Sequence, residues 1–316
     1  METSSAEKSC VYLSDTAGIH DLRWRTALQS MGWHVDLEVP DSTTPVFAGP
    51  LTSTSLTTLD RMKNPVIGLS WGWDLHAAKG RQSITWLSRL SGLVVDSVPT
   101  RNIAIELGMN PASIVMIPWG INLQQFSPTA RNPDIDLSIL SLRAHEQLYR
   151  IHTIVAAIAL LQEQGIVCSL TIGNEGSLTQ KLKDQVIDLG LNTVSFIGRV
   201  QENELPELFT SHGVYVSAAE TDGTSVTLLQ AMAMEIPVVV SNSPGNIAWL
   251  NDAPGPTGRI FELGDPADLA LKLKEVIGSP EQSRGMTHRG REVVEGGANW
   301  SLNIWRLDEL LTSVLI

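Results

Sequence analysis

Residues 219–234 read AETDGTSVTLLQAMAM, a polar turn followed by an apolar run. Asp222 and Gly223 suit a tight turn, and Thr224 or Ser225 can cap a helix that continues through Val226. The amide N–H groups at such a helix start, with the helix dipole, form a seat for a phosphate or another anion. Gln230 falls one turn further in, where its amide offers a donor and an acceptor to a hydroxyl-rich ligand. The same residues also describe a capped helix with a half-buried Gln, and both readings stand on this stretch alone. Asp74 lies between Trp71 and Trp73 in GLSWGWDL. It could position a hydroxyl while the indoles stack on sugar faces, or it could cap a helix near residue 75 above a tryptophan core. His34, His76, His152, His212 and His288 have no ligand spacing, so no metal is expected. Cys10 and Cys168 sit far apart inside apolar runs and read as small buried hydrophobes.

Twelve short β-branched runs must position these groups. Six fall early, at 10–15, 34–39, 45–49, 65–70, 93–97 and 113–118. Six more fall at 137–142, 167–173, 194–198, 214–218, 237–241 and 259–263. Amphipathic stretches separate them, at about 19–31, 52–62, 80–90 and 99–107 in the first series and notably 150–164 and 176–189 in the second. Fully apolar strands alternating with helices predict parallel sheets covered on both faces. Two series predict two doubly wound domains, joined by PWGINLQQFSPTARNPDID at 118–136, with the boundary near residue 122. NWSLNIWRLDELLTSVLI ends the chain as one more amphipathic helix. In open parallel sheets the ligand sits beyond the carboxyl ends of the strands, so facing sheets would place a cleft between the domains.

The whole chain carries a formal net charge of −12 over 316 residues, which argues against nucleic acid as a partner. Residues 1–122 hold 9 Lys and Arg against 11 Asp and Glu, so most of the acidity lies beyond them. Lys79, Arg81 and Arg89 could rest a small basic face of the first domain weakly on anionic lipid, or be a solvated surface. The opening METSSAEKS is polar, and no apolar run approaches the ~18 residues that span a bilayer. A cytoplasmic protein is expected.

The stretch YVSAAETDGTSVTLLQAMAMEIPVVVSNSPGNIAWL resembles the donor-binding region of retaining glycosyltransferase family four, which has the GT-B fold. In that family an acid precedes a Gly-rich turn and a second acid follows eight positions later; Asp222 and Gln230 stand at those places. The similarity runs on through YLSDTAGIHDLRWRTALQSMGWHVDL, GLSWGWDL, IVMIPWGINLQQFSP and ILSLRAHEQLYRIHTIVAAIALL to the final NWSLNIWRLDELL.

The resemblance implies an α/β GT-B chain of two Rossmann-like domains. Residues 1–122 form the acceptor side, 123–298 bind the donor, and a helix at about 299–316 packs back on the first domain. The implied reaction moves a sugar from a nucleoside-diphosphate sugar to an acceptor with retention, without cofactor or metal. Arg143 and the amides of Gly223, Thr224, Ser225 and Val226 would hold the diphosphate. Gln230 would hold the ribose, and Asp222 would orient the sugar. Asp74 would serve the acceptor, and Gly18 and His20, in the first loop, would reach the donor. Arg199, in VSFIGRV, would lie near the base. A Lys is usual about five residues after Arg143, but residue 148 is Leu and Arg150 is the nearest cation. His145 would add phosphate charge or stay solvated. A contact role alone for Arg143 implies that its removal spares the fold. Three other readings remain: a non-catalytic relative or partner subunit that binds sugar nucleotides, a nucleotide-sugar epimerase, and a single flavodoxin-like binding module.

Overall fold

The computed structural model describes residues 8–16, 18–38, 41–52, 58–59, 61–78, 85–129, 137–222, 224–251 and 254–314. Lys79, Arg81, Gly223 and residues 130–136 of the joining segment therefore lie outside the described residues. The chain divides into two compact units, 1–119 with 301–316, and 120–300.

The first unit is built on six parallel strands: β1 (Ser9–Leu13), β2 (His34–Asp36), β3 (Val46–Ala48), β4 (Val66–Leu69), β5 (Gly92–Val95) and β6 (Ile114–Met116). Their order is β2-β1-β3-β4-β5-β6. Helix α1 (Ile19–Ser30) follows β1 and stops where Gly32 takes a φ of +82°, a backbone that favours glycine. Helix α2 (Trp73–Ala78) follows β4, and α3 (Val98–Glu106) follows β5. Ser97 starts α3 by accepting from the Thr100 N–H, with Pro99 in the first turn. The helix expected over 80–90 is, in its described part, only a 3-10 stretch from Thr85 to Arg89.

In the second unit β7 (Ser138–Ser141), β8 (Ser169–Gly173), β9 (Val194–Gly198), β10 (Val214–Ser217), β11 (Val238–Ser241) and β12 (Arg259–Phe261) are again all parallel. The order β12-β11-β10-β7-β8-β9 reverses direction between β7 and β10. Helices α4 (Ile151–Glu163), α5 (Thr179–Asp188), α6 (Leu205–Thr210), α7 (Val226–Ala233), α8 (Pro244–Leu250), α9 (Pro266–Ile277) and α10 (Pro280–Gly297) complete it. Strand alternation sorts the core into two layers. Ile139, Val214, Val216 and Val239 pack with α4, α5 and α9, whereas Leu140, Tyr215, Val238 and Val240 pack with α7. Both faces are covered, so β10 and β11 are buried at every position.

After α10 the chain pairs with the start of the unit: Ile121 donates to the Ala298 carbonyl at 2.8 Å and bridges Asn299. Helices α11 (Trp300–Asn303) and α12 (Arg306–Val314) follow. Within the first unit the Asn303 amide donates to Pro118 O at 3.2 Å, and α12 packs on β6. Among the described residues no helix is long and apolar enough to cross a membrane.

Candidate functional site

Strand order selects one place in the second unit. Where order reverses in an open parallel sheet, adjacent loops leave in opposite directions and a crevice opens beyond the carboxyl ends. Here that point lies between β7 and β10. Arg143 leaves β7, while Asp222 and Ser225 lie between β10 and α7.

The fold brings these three side chains together. Arg143 Nη2 meets Asp222 Oδ2 at 2.6 Å, with side chains only 12% and 17% exposed. Arg143 Nη1 donates to Ser225 Oγ at 3.1 Å and to Thr227 Oγ1 at 3.4 Å. The guanidinium also stacks on Tyr149, with Cζ 4.4 Å from the ring centre. Tyr215, from the floor of the sheet, shares a 2.6 Å hydrogen bond with Thr227 and fixes its hydroxyl. Burial alone would weaken the Arg143 cation. The Asp222 carboxylate and the Tyr149 and Tyr215 phenols override that and raise its pKa above the usual arginine value. Arg143 is thus a permanent, preoriented cation whose buried Nε has no hydrogen-bond partner among the described residues.

Ser225 occupies the N-cap position of α7, yet its hydroxyl serves Arg143 and makes no cap hydrogen bond. Ser225 is therefore not a side-chain cap, and the first-turn amides of a helix start favour an anion. Thr224 is buried beside it, and Val226 opens the helix half-buried. Gln230 is 3% exposed within α7, and its Oε1 lacks a partner among the described residues. The Ser217 Oγ at the end of β10 is buried and likewise unpartnered there. Buried polar atoms are ordinarily satisfied, and Gln230 Oε1 and Ser217 Oγ are two that the described residues leave open.

Arg150 is placed otherwise than expected. It sits at the N-cap of α4 with a φ of +45°, and its Nη2 and Nε meet Glu220 Oε2 at 2.9 and 3.1 Å. Two ion pairs, Arg143–Asp222 and Arg150–Glu220, therefore tie the segment after β7 to the segment after β10. The Arg199 side chain is 79% exposed and pairs with Glu175 at 3.4 Å, a surface pair. His145 is not solvated, and both of its ring nitrogens have partners within the fold. It is 1% exposed, with Nε2 3.2 Å from the Gly173 carbonyl and Nδ1 2.9 Å from Thr179 Oγ1.

The first-unit candidates serve the fold. Asp74 is 3% exposed and accepts from the N–H groups of Leu51 (2.8 Å), Trp71 (3.2 Å) and Leu75 (2.9 Å) and from Ser70 Oγ (2.7 Å). Burial raises its pKa against these four donors. Of its two readings, these contacts match the helix cap: the carboxylate is buried and accepts at the start of α2. Gly18, the N-cap of α1, donates its N–H to Asp21 Oδ2 at 2.8 Å. The His20 ring packs between Trp71 and Trp119, centroids 5.0 and 4.2 Å away. Cys10 and Cys168 are buried, and burial with Asp36 nearby pushes the Cys10 thiol up to about 12.

Sequence reasoning missed Thr227, Tyr149 and Tyr215. Thr227 carried a signal, because a hydroxyl two residues after an N-cap still lies in the first helical turn. Tyr149 and Tyr215 carried none, since the irregular 3-10 turn after β7 brings Tyr149 to Arg143 and the long-range pairing of β7 with β10 brings Tyr215.

Comparison with known proteins agrees with this architecture. The chain is 26% identical over 221 residues to a glycogen synthase of Mycobacterium tuberculosis, covering 68% of this chain and 53% of that one. It is 25% identical over 206 residues to the MMP alpha-(1->4)-mannosyltransferase of Mycolicibacterium hassiacum, covering 63% and 48%. The chain spans between a fifth and about half the length of the first curated relatives it matches. Among solved structures, Anabaena HepE in complex with UDP and glucose superposes with a TM-score of 0.78 at 14% identity, over 98% of this chain and 100% of that one. Two parallel-sheet Rossmann-like halves of this kind are the GT-B fold. The model of the glycosyl transferases group 1 family matches residues 126–293, more than half of the sequence and the part that carries Arg143, Asp222 and Gln230. The chain belongs to the glycosyl transferases group 1 family.

Proposed function

We propose that the chain is a retaining glycosyltransferase of family four that takes a nucleoside-diphosphate sugar on its second unit. The observation that carries the reading is Arg143, a largely buried cation at the strand-order reversal beside the start of α7. Support also comes from HepE, a fold neighbour whose structure contains UDP and glucose. In this reading Arg143 and the first amides of α7 receive the diphosphate, and Gln230 meets the ribose hydroxyls. Catalysis comes from electrostatic stabilisation of the departing diphosphate and from positioning the acceptor. The leaving phosphate takes the acceptor proton on the same face, so no protein nucleophile and no metal or cofactor are assigned. The reading takes the protein to be cytoplasmic and leaves the acceptor open.

A binding and turnover panel of UDP-, GDP- and ADP-sugars tests it, by calorimetry and by release of free nucleotide. Selective binding with nucleotide release, and a product of unchanged anomeric configuration, is expected. No binding by any member of the panel overturns it. A second reading, a relative that binds sugar nucleotides without turning them over, is favoured by one observation: the Arg143 cation is already neutralised by Asp222. Binding with no release, even with acceptors supplied, would select that reading.

A further inference from the structure

The Arg143–Asp222 pair is more than a positioning contact, because of which guanidinium nitrogen it takes. An arginine binds a phosphate best through two adjacent N–H donors in one plane. Nη1 is turned toward Ser225 and Thr227, and Tyr149 covers one face of the group. The remaining edge runs from Nε to Nη2. Its Nε is buried without a partner among the described residues, while its Nη2 lies 2.6 Å from Asp222 Oδ2 in an ion pair that lacks hydrogen-bond alignment. A phosphate seated bidentately on that edge would share Nη2 with the carboxylate at van der Waals distance. Two anions that close, with most of the water excluded, repel strongly. Ligand and Asp222 therefore cannot hold this edge together.

We propose that Asp222 is an internal competitor of the ligand's phosphate: it pairs with Nη2 of Arg143 in the free protein and must leave that nitrogen when a diphosphate binds the Nε–Nη2 edge. The inference rests on the donor-site reading above and adds a selectivity to it. Displacing a buried carboxylate requires a stronger anion at the same edge, so a diphosphate opens the site and an uncharged nucleoside or free sugar does not. Asp222 also keeps Arg143 paired while the site is empty, which avoids an uncompensated buried cation.

The test compares the wild type with Asp222→Asn, which removes the charge but keeps the size. Inorganic pyrophosphate and the nucleosides uridine, guanosine and adenosine are the probes, titrated by calorimetry near neutral pH. Asp222→Asn should bind pyrophosphate about tenfold more tightly than the wild type, with nucleoside affinity unchanged. Equal or weaker pyrophosphate binding by the folded variant overturns the competitor role alone, leaving the donor site intact. Failure of both proteins to bind pyrophosphate overturns the proposal together with the donor-site reading. Should the variant not fold, a structure of the wild type with pyrophosphate decides. Asp222 withdrawn from Arg143 beyond hydrogen-bond reach, roughly 3.2 Å, supports the proposal. Pyrophosphate on Arg143 with Asp222 still in place overturns it.

Discussion

At the scale of single residues, the structure changes what the loss of Arg143 means. As a ligand contact alone, its replacement would spare the fold. As half of a pair whose side chains are 12% and 17% exposed, it cannot be removed without stranding Asp222. Arg143→Ala should therefore cost about 3–5 kcal/mol, seen as a lowered urea midpoint. Adding Asp222→Ala should restore part of that loss, because the double variant leaves no unpaired charge. A double variant no more stable than Arg143→Ala would show that the stacking on Tyr149, and not the ion pair, carries the energy. Asp74 gives the contrasting case. Asp74→Asn places an amide donor against a site filled by four donors and should cost about 1–3 kcal/mol. Nucleotide affinity should not change, and a fall in affinity in the folded variant would return Asp74 to the ligand site. Depth explains why the two acids were read alike: a carboxylate at the start of a helix has the same local sequence whether it faces a ligand or three backbone amides.

At the scale of elements, the segment around Gly120 is held by a contact that only glycine permits. A β-carbon there would lie 2.4 Å from the Trp300 nitrogen, 2.5 Å from its Cα and 2.7 Å from the Ala298 carbonyl oxygen, all backbone atoms. The neighbouring Ile121 makes the pairing with Ala298 and Asn299 that ties the two ends of the second unit. Gly120→Ala must push those strands of chain apart and should cost about 1–3 kcal/mol. Faster amide exchange at Ile121 would locate the damage, and an unchanged rate there would mean that the segment gives way without losing its pairing. Elements of this kind were legible to different degrees. The central strands, such as β4, β5, β10 and β11, stood out because each is a continuous apolar run, as a strand buried on both faces must be, whereas the edge strands β2 and β9 are partly exposed. The turn at 222–226 was legible because turn and cap chemistry is local. The cluster on Arg143 was not, since Tyr149 reaches it from the end of a 3-10 turn and Tyr215 from a neighbouring strand. Hydrophobic periodicity also predicted a helix at 80–90, where the described part is a shorter 3-10 stretch.

At the scale of the whole molecule, acidification should act on the second unit through its histidines. His145, His152 and His212 all belong to 120–300, and burial is the first cause that lowers each pKa below the ordinary 6.5. Arg150 and Lys181 add to the effect at His152. Hydrogen bonds show why the neutral ring suits the fold. The Leu208 carbonyl can only accept, so His212 Nδ1 carries the proton at 2.7 Å and leaves Nε2 to accept from Thr171 at 2.8 Å. The Gly173 carbonyl likewise fixes the His145 proton on Nε2. In the unfolded chain these rings gain protons near pH 6.5, while in the folded chain they stay neutral to lower pH. The unfolded state then binds more protons, so unfolding becomes easier as pH falls. Stability from this source is complete above the unfolded value and is lost as pH drops through the folded values. Hydrogen exchange of the full chain between about pH 7 and about pH 5.5, corrected for intrinsic rates, should show lower opening free energies in α4, α5 and α6 at the lower pH. His212→Gln, which cannot gain the proton, should flatten that slope. A variant with the same slope as the wild type would remove His212 from the pH response and leave it to His145 and His152.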